Sequence, residues 1–159
     1  MRYIDLRRNN IMKCIVQRVL EASVTIDGVL YSKIDKGILV LAGYTDTDDD
    51  KTINYVCDKL VNLRIFEDEN GKLNKSLLEV GGAIMLVSNF TVYGDTSHGR
   101  RPSFVRSARG DISEPMYNKS IEIIRNSGVH CETGVFGADM KVALVNDGPV
   151  TVVVEREND

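Results

Sequence analysis

Apolar and polar residues alternate with a two-residue period along the early part of the chain, the pattern of half-buried strands. KCIVQRVL (13–20), ASVTI (22–26) and VLYSKI (29–34) each read as a strand, and Asp27-Gly28 supplies the hairpin turn between the last two. GILVLAGY (37–44) is a nearly unbroken apolar run, which fits a strand covered on both faces. The period then changes. TDTDDDK offers capping side chains and carboxylates for a helix start. Ile53, Val56, Cys57, Leu60 and Val61 follow at helical spacing, so an amphipathic helix is predicted over 48–62. RIFED and Asn70-Gly71 predict a short strand and a turn, and AIMLVSNFTVY (83–93) predicts a strand after Gly81-Gly82. A second helix is expected with Ser113 as its cap and Glu114 and Pro115 in its first turn. Its apolar face holds Tyr117, Ile121 and Ile124, and Gly128 ends it. Two strands, 140–146 and 150–156, close the chain on either side of NDGPVT. Two main helices among about eight strands make a fold of the α/β class, one compact mixed-sheet domain over 12–159. MRYIDLRRNN has no period, and residues 1–11 are expected to form a disordered extension.

Composition narrows the class. Of 159 residues, 43% are apolar and 27% charged, ordinary for a soluble globular chain with a core of its own. No apolar run approaches the roughly 18–20 residues of a membrane span, and the opening residues are too polar for a secretory signal. A cytoplasmic protein with no membrane partner is expected. Cys14, Cys57 and Cys131 are odd in number and far apart, with no C-x-x-C, so no disulfide framework or zinc site is expected and each reads as a small buried hydrophobe. The net charge of −3 gives no overall pull toward nucleic acid. Any such contact must come from a local patch.

Familiar catalytic apparatus is missing from the sequence. His98 and His130 are its two histidines, and neither belongs to an H-E-x-x-H or H-x-E pattern. No nucleophile elbow and no phosphate loop occurs. Three stretches stand out. SNFTVYGD (88–95) brings Ser88, Asn89 and Thr91 to the end of a very apolar strand, where α/β folds present ligand-contacting groups; a strand giving way to a loop is the plainer reading. SHGRRPSFVRSARG (97–110) carries Arg100, Arg101, Arg106 and Arg109 without an acid, interleaved with Phe104. That suits phosphates and a stacked base, although a solvated loop has the same composition. NDGPVT (146–151) places Gly-Pro at the mouth of a valine-rich strand, either as a structural turn or as rigid main chain that a ligand approaches closely.

Taken in order, MKCIVQRV, SNFTVYGD, GRRPSF, GVFGADM and NDGPVT resemble the D-aminoacyl-tRNA deacylases, from about Met12 to Glu155 and with matching spacing. The resemblance implies a homodimer with two active sites at the subunit interface. The reaction it implies is hydrolysis of the ester joining a D-amino acid, or glycine, to the terminal adenosine of tRNA, without a cofactor or metal. It implies a cis Gly148-Pro149 bond inserted into the partner's site, where its carbonyls face the substrate amino group and reject L-amino acids. Ser88, Asn89 and Thr91 then fall at the catalytic positions. Phe90 lines the pocket, Phe104 and Met140 hold the adenosine, Arg18 orients the Gly-Pro loop, and Arg100 and Arg101 meet tRNA phosphates. No DNA partner is implied.

Asn89 departs from the family pattern, which has glutamine there. The shorter side chain leaves a contact of that amide in question, while the backbone role stays. No histidine or lysine in these motifs serves Thr91 as a base. The resemblance favours assistance from the adenosine 2′-OH instead, with the protein supplying position and backbone N–H groups. Two other readings stay open: a catalytically idle module that binds the tRNA 3′ end, and an L-directed esterase with a threonine nucleophile.

Overall fold

The computed structural model describes residues 11–156. Within it, β1 (Ile11–Ile26) is one 16-residue strand, where two were expected. Its length lets it serve three neighbours. Lys13 to Val19 pair antiparallel with β3 (Gly37–Gly43), Ala22 to Ile26 pair with β2 (Val29–Ile34), and β8 (Lys141–Arg156) runs antiparallel along nearly all of it. β3 then pairs in parallel with β6 (Ala83–Ser88), and β6 with β7 (His130–Thr133). The sheet runs β2-β1-β3-β6-β7, with β8 on β1. It curls until it nearly closes, for the Ser32 hydroxyl of β2 donates to the Thr133 carbonyl of β7 at 2.6 Å.

Both faces are covered, so β3 reads apolar throughout, as expected. Ile38, Val40 and Ala42 face the helices, among Ile53, Leu60, Tyr117 and Ile124. Leu39 faces the other way, onto Val24, Met85 and Val87, with Val142 and Leu144 of β8 beyond. The period of two in β3 and of 3.6 in the helices therefore meet in one core.

α1 (Asp50–Asn62) follows β3 and is capped by Asp49, whose carboxylate accepts from the Thr52 N–H at 2.8 Å. β4 (Phe66–Glu67) and β5 (Leu73–Lys75) form a small separate ribbon, and α2 (Leu77–Val80) is one turn closed by a Ser76/Glu79 capping box. That turn was not expected. α3 (Gly110–Asn126) starts earlier than expected, behind Arg109, which makes no side-chain cap. Ser113 lies inside it and donates its hydroxyl to the Arg109 carbonyl at 3.0 Å, while Pro115 sits within the helix instead of in its first turn.

Other strand assignments change as well. The expected strand over 83–93 ends at Ser88, and Phe90–Tyr93 form a 3-10 turn capped by Asn89. β7 was missed. The two closing strands are one, because β8 continues through NDGPVT. The reading of residues 1–11 as a disordered extension lies outside the described residues except at Ile11, which already pairs with Arg156.

Candidate functional site

At the carboxyl ends of β3 and β6 a cleft of about 570 Å³ opens between the sheet, the start of α3 and the loop before β8. This is the usual ligand position in an open parallel sheet. Ser88 is the last residue of β6, and the Asn89 N–H donates to the Ala42 carbonyl at 2.8 Å, carrying the sheet one step further. The chain then bends. Asn89 Oδ1 accepts from the Thr91 N–H at 3.1 Å and from the Thr91 hydroxyl at 2.5 Å, which winds Phe90–Tyr93 into the 3-10 turn. Asparagine side chains have the reach for such a cap. Gly43 permits the turn to lie against β3, since a Cβ there would stand 2.3 Å from Val92 Cγ2.

Ser88, Asn89, Phe90 and Met140, four of the residues expected at the site, line the cleft. Thr91 does not line it. Phe104 stands beside it, edge-on to Phe90 with ring centroids 5.3 Å apart and planes at 76°. The Ser107 hydroxyl donates to the Phe90 carbonyl at 2.7 Å and ties the arginine loop to the turn. Arg100 and Arg101 are exposed on that loop. The cleft also takes in Tyr44, Gly110, Ser113, Phe136 and Asp139, which sequence reasoning missed. The Tyr44 hydroxyl shares a hydrogen bond with Ser120 Oγ at 2.8 Å, and burial pushes its pKa well above the ordinary tyrosine value. It is a neutral group near neutral pH.

The Gly-Pro motif lies elsewhere. In the β1–β8 ladder Gln17 faces Thr151 and Val19 faces Asn146, so residues 147 to 150 bulge out opposite the single residue Arg18. The Gly148-Pro149 peptide is cis, as expected, with Gly148 at φ 130°. Arg18 lies beneath, 5% exposed. Its Nε donates to the Asp147 carbonyl at 3.0 Å and its Nη1 to the Ile65 carbonyl at 2.9 Å. The Glu67 and Asp147 carboxylates stand 3.7 and 3.5 Å from the guanidinium. A planar fork fits two such acceptors at once.

Register separates the bulge from the cleft. Arg18 faces Ile38 across β1 and β3, whereas the cleft is lined from Leu41 onward. Leu41 lies three residues along β3 from Ile38, roughly 10 Å.

A model of the D-Tyr-tRNA(Tyr) deacylase family matches residues 15–155. The chain belongs to that family. Among its relatives, a D-aminoacyl-tRNA deacylase of Brevibacillus brevis is 51% identical over 144 residues, 91% of this chain and 99% of its own. Another, of Chlorobaculum parvum, is 50% identical over 145 residues, 91% of this chain and 97% of its own. Of solved structures, a c-Myc DNA unwinding element binding protein superposes with a TM-score of 0.87 at 38% identity, covering 92% of this chain and 99% of that one. A probable eukaryotic D-amino acid tRNA deacylase superposes at 0.80 with 17% identity, covering 91% and 99%, a likeness of fold alone. The deacylase family thus accounts for the mixed sheet and for the order of the sequence motifs.

Proposed function

We propose that this chain hydrolyses the ester between a D-amino acid, or glycine, and the terminal adenosine of tRNA, and spares L-aminoacyl-tRNA. Residues 12–159 act as one domain and pair as a homodimer in the cytoplasm. The Gly148-Pro149 bulge of each subunit enters the cleft of the other. The separation of bulge and cleft along the β1–β3 ladder carries this reading: a rigid, Arg18-anchored bulge and an open cleft are both built, and one chain does not bring them together. A two-fold axis makes such an exchange reciprocal.

In the cleft the adenosine rests against Phe90, Phe104 and Met140, and the amino acid lies by Ser88 and Asn89. The bulge from the other subunit offers main-chain carbonyls to the ammonium group and leaves no room for an L side chain. Water adds to the ester carbonyl, the bond to the ribose oxygen breaks, and that oxygen takes up a proton. Thr91 is an unsuitable nucleophile, because its hydroxyl proton is already donated to Asn89 Oδ1. No histidine or lysine lines the cleft among the described residues. Positioning and the substrate's own 2′-OH therefore account for the rate better than a side-chain base.

Mixed dimers test the shared site. Gly148→Leu spoils the bulge, since a Cβ there would lie 2.9 Å from Val150 N, and Ala138→Trp fills the cleft. Each variant alone should be inactive on D-tyrosyl-tRNA. Random mixing should restore roughly a quarter of wild-type turnover, from one intact site in half the dimers. No recovery from folded, exchanging subunits would sink the reciprocal arrangement.

A further inference from the structure

The 3-10 turn that brings Phe90 to the cleft is short and loosely closed from within. The bond from the Val92 N–H to the Asn89 carbonyl is 3.4 Å long, against 2.9 Å for the one from Gly94 to Thr91. Such segments have poorer hydrogen-bond geometry than α-helices, so the position of this one depends on what packs against it. A second tight turn does so. It runs from Phe104 to Ser107 and is closed by the Ser107 N–H on the Phe104 carbonyl at 3.1 Å. Three of its residues touch the 3-10 turn. The Phe104 ring meets the Phe90 ring edge-on at 5.3 Å, and the Arg106 guanidinium stands over the Tyr93 ring at 5.6 Å. The Ser107 hydroxyl donates to the Phe90 carbonyl at 2.7 Å.

This brace is itself fixed at both ends. Before it, Asp95 and Ser103 exchange backbone hydrogen bonds at 2.8 and 2.9 Å. After it, the Ala108 N–H donates to the carbonyl of Tyr44, the residue following β3, at 2.9 Å. The sheet thus holds the brace, and the brace holds Phe90. Of its three contacts with the 3-10 turn, only the Ser107 bond acts on main chain. It fixes the carbonyl of the Phe90–Thr91 peptide, whose N–H is already held by Asn89 Oδ1 at 3.1 Å. One peptide plane is gripped from both sides, directly after the cleft residues Ser88 and Asn89. Alignment at such a point matters, since a misplacement of about 1 Å can cost roughly a hundredfold in rate.

We infer that Ser107 is a positioning residue for the hydrolysis: its hydroxyl holds the main chain at Phe90 in the alignment that the transition state needs, and it touches no substrate itself. This rests on the function proposed above. Ser107 is partly buried and does not line the cleft, so its loss leaves the core and the cleft walls in place. Phe104 still packs on the Phe90 ring without it. Ground-state binding therefore depends little on Ser107, and turnover depends on it more.

Ser107→Ala and Ser107→Thr, assayed on D-tyrosyl-tRNA and on D-tyrosyl-adenosine, test the role. Alanine should lower kcat roughly three- to tenfold, the loss of one hydrogen bond, with KM within about twofold of wild type. Threonine restores the hydroxyl and should return kcat to within about twofold of wild type. The same factor is expected on the adenosine ester, which has no phosphate for Arg100 and Arg101 to meet. An unchanged kcat in Ser107→Ala, an effect confined to KM, no recovery in Ser107→Thr, or a loss seen with tRNA alone overturns the role. If the wild-type protein hydrolyses neither ester, the proposed activity has failed instead. NMR with the stable 3′-amide analogue of D-tyrosyl-adenosine then decides Ser107 separately. Smaller binding shifts of the 89–91 amides in Ser107→Ala than in wild type support it, and equal shifts reject it.

Discussion

Arg18 is the hinge on which the bulge depends, and replacing it by methionine isolates that role. Methionine refills much of the volume but donates nothing. Two charge-assisted hydrogen bonds disappear, to the carbonyls of Asp147 and Ile65. Each is worth about 1.5–3 kcal/mol. The ion pairs add little, because the Glu67 and Asp147 carboxylates are 58% and 35% exposed and stay hydrated without their partner. A loss of about 3–6 kcal/mol is therefore expected, against the roughly 5–15 kcal/mol that keeps a domain folded. For a chain of this size that lowers Tm by roughly 6–24 °C. Activity should suffer in a specific way: with the bulge released from Arg18, turnover of D-tyrosyl-tRNA falls and the preference over L narrows. Arg18→Lys keeps the charge but lacks the fork and should recover less than half of either loss. Calorimetry and paired D and L release assays read both effects. A Tm within about 2 °C of wild type, or an unchanged D-to-L ratio in a destabilised protein, would refute the anchoring role.

Two further outcomes follow from the same geometry. Asp48 accepts from the Thr45 N–H at 2.9 Å and the Thr45 hydroxyl at 3.0 Å, and burial pushes its pKa up to about 7 from 3.8. A raised acid pKa means that the folded state holds the proton longer than the unfolded chain. This residue's contribution to stability thus falls as pH rises from about 4 to 7, by up to roughly 4 kcal/mol. Asp48→Asn should remove that slope, matching wild type near pH 4 and exceeding it at pH 8 in urea titrations; parallel pH profiles would contradict it. Thr91→Ala removes one hydroxyl bond to Asn89 while the Asn89 cap on the Thr91 N–H remains. Its kcat on D-tyrosyl-tRNA should stay within about tenfold of wild type, and loss to background in a folded protein that still binds tRNA would make Thr91 a catalytic residue.

The parts of this fold that read most clearly from sequence are those in which periodicity and burial coincide. β3 and α1 are such elements, because one is covered on both faces and the other on one. β8 was misread for a physical reason. Asp147-Gly148-Pro149 has the chemistry of a turn, yet a buried arginine on the neighbouring strand lets those residues bulge while the ladder resumes beyond them. β7 escaped notice because His130, Glu132 and Thr133 are polar in a four-residue strand, and its place is set by parallel pairing with β6. The end of β6 depended on a side-chain cap by Asn89, which propensity alone did not weigh against a continuing apolar run. At the site, Ser88, Asn89, Phe90 and Met140 were legible because motifs carry them. Tyr44, Gly110, Ser113 and Phe136 were not, since they reach the cleft only through the packing of α3 and the loop before β8 against the sheet.

The central claim is chiral selection at an ester, and release of tyrosine from D-tyrosyl-tRNA and L-tyrosyl-tRNA, assayed side by side with enzyme well below substrate, tests it most directly. Rapid turnover of the D-ester with the L-ester spared is the predicted result. Equal hydrolysis of both, or hydrolysis of neither by a protein that binds tRNA, would contradict it.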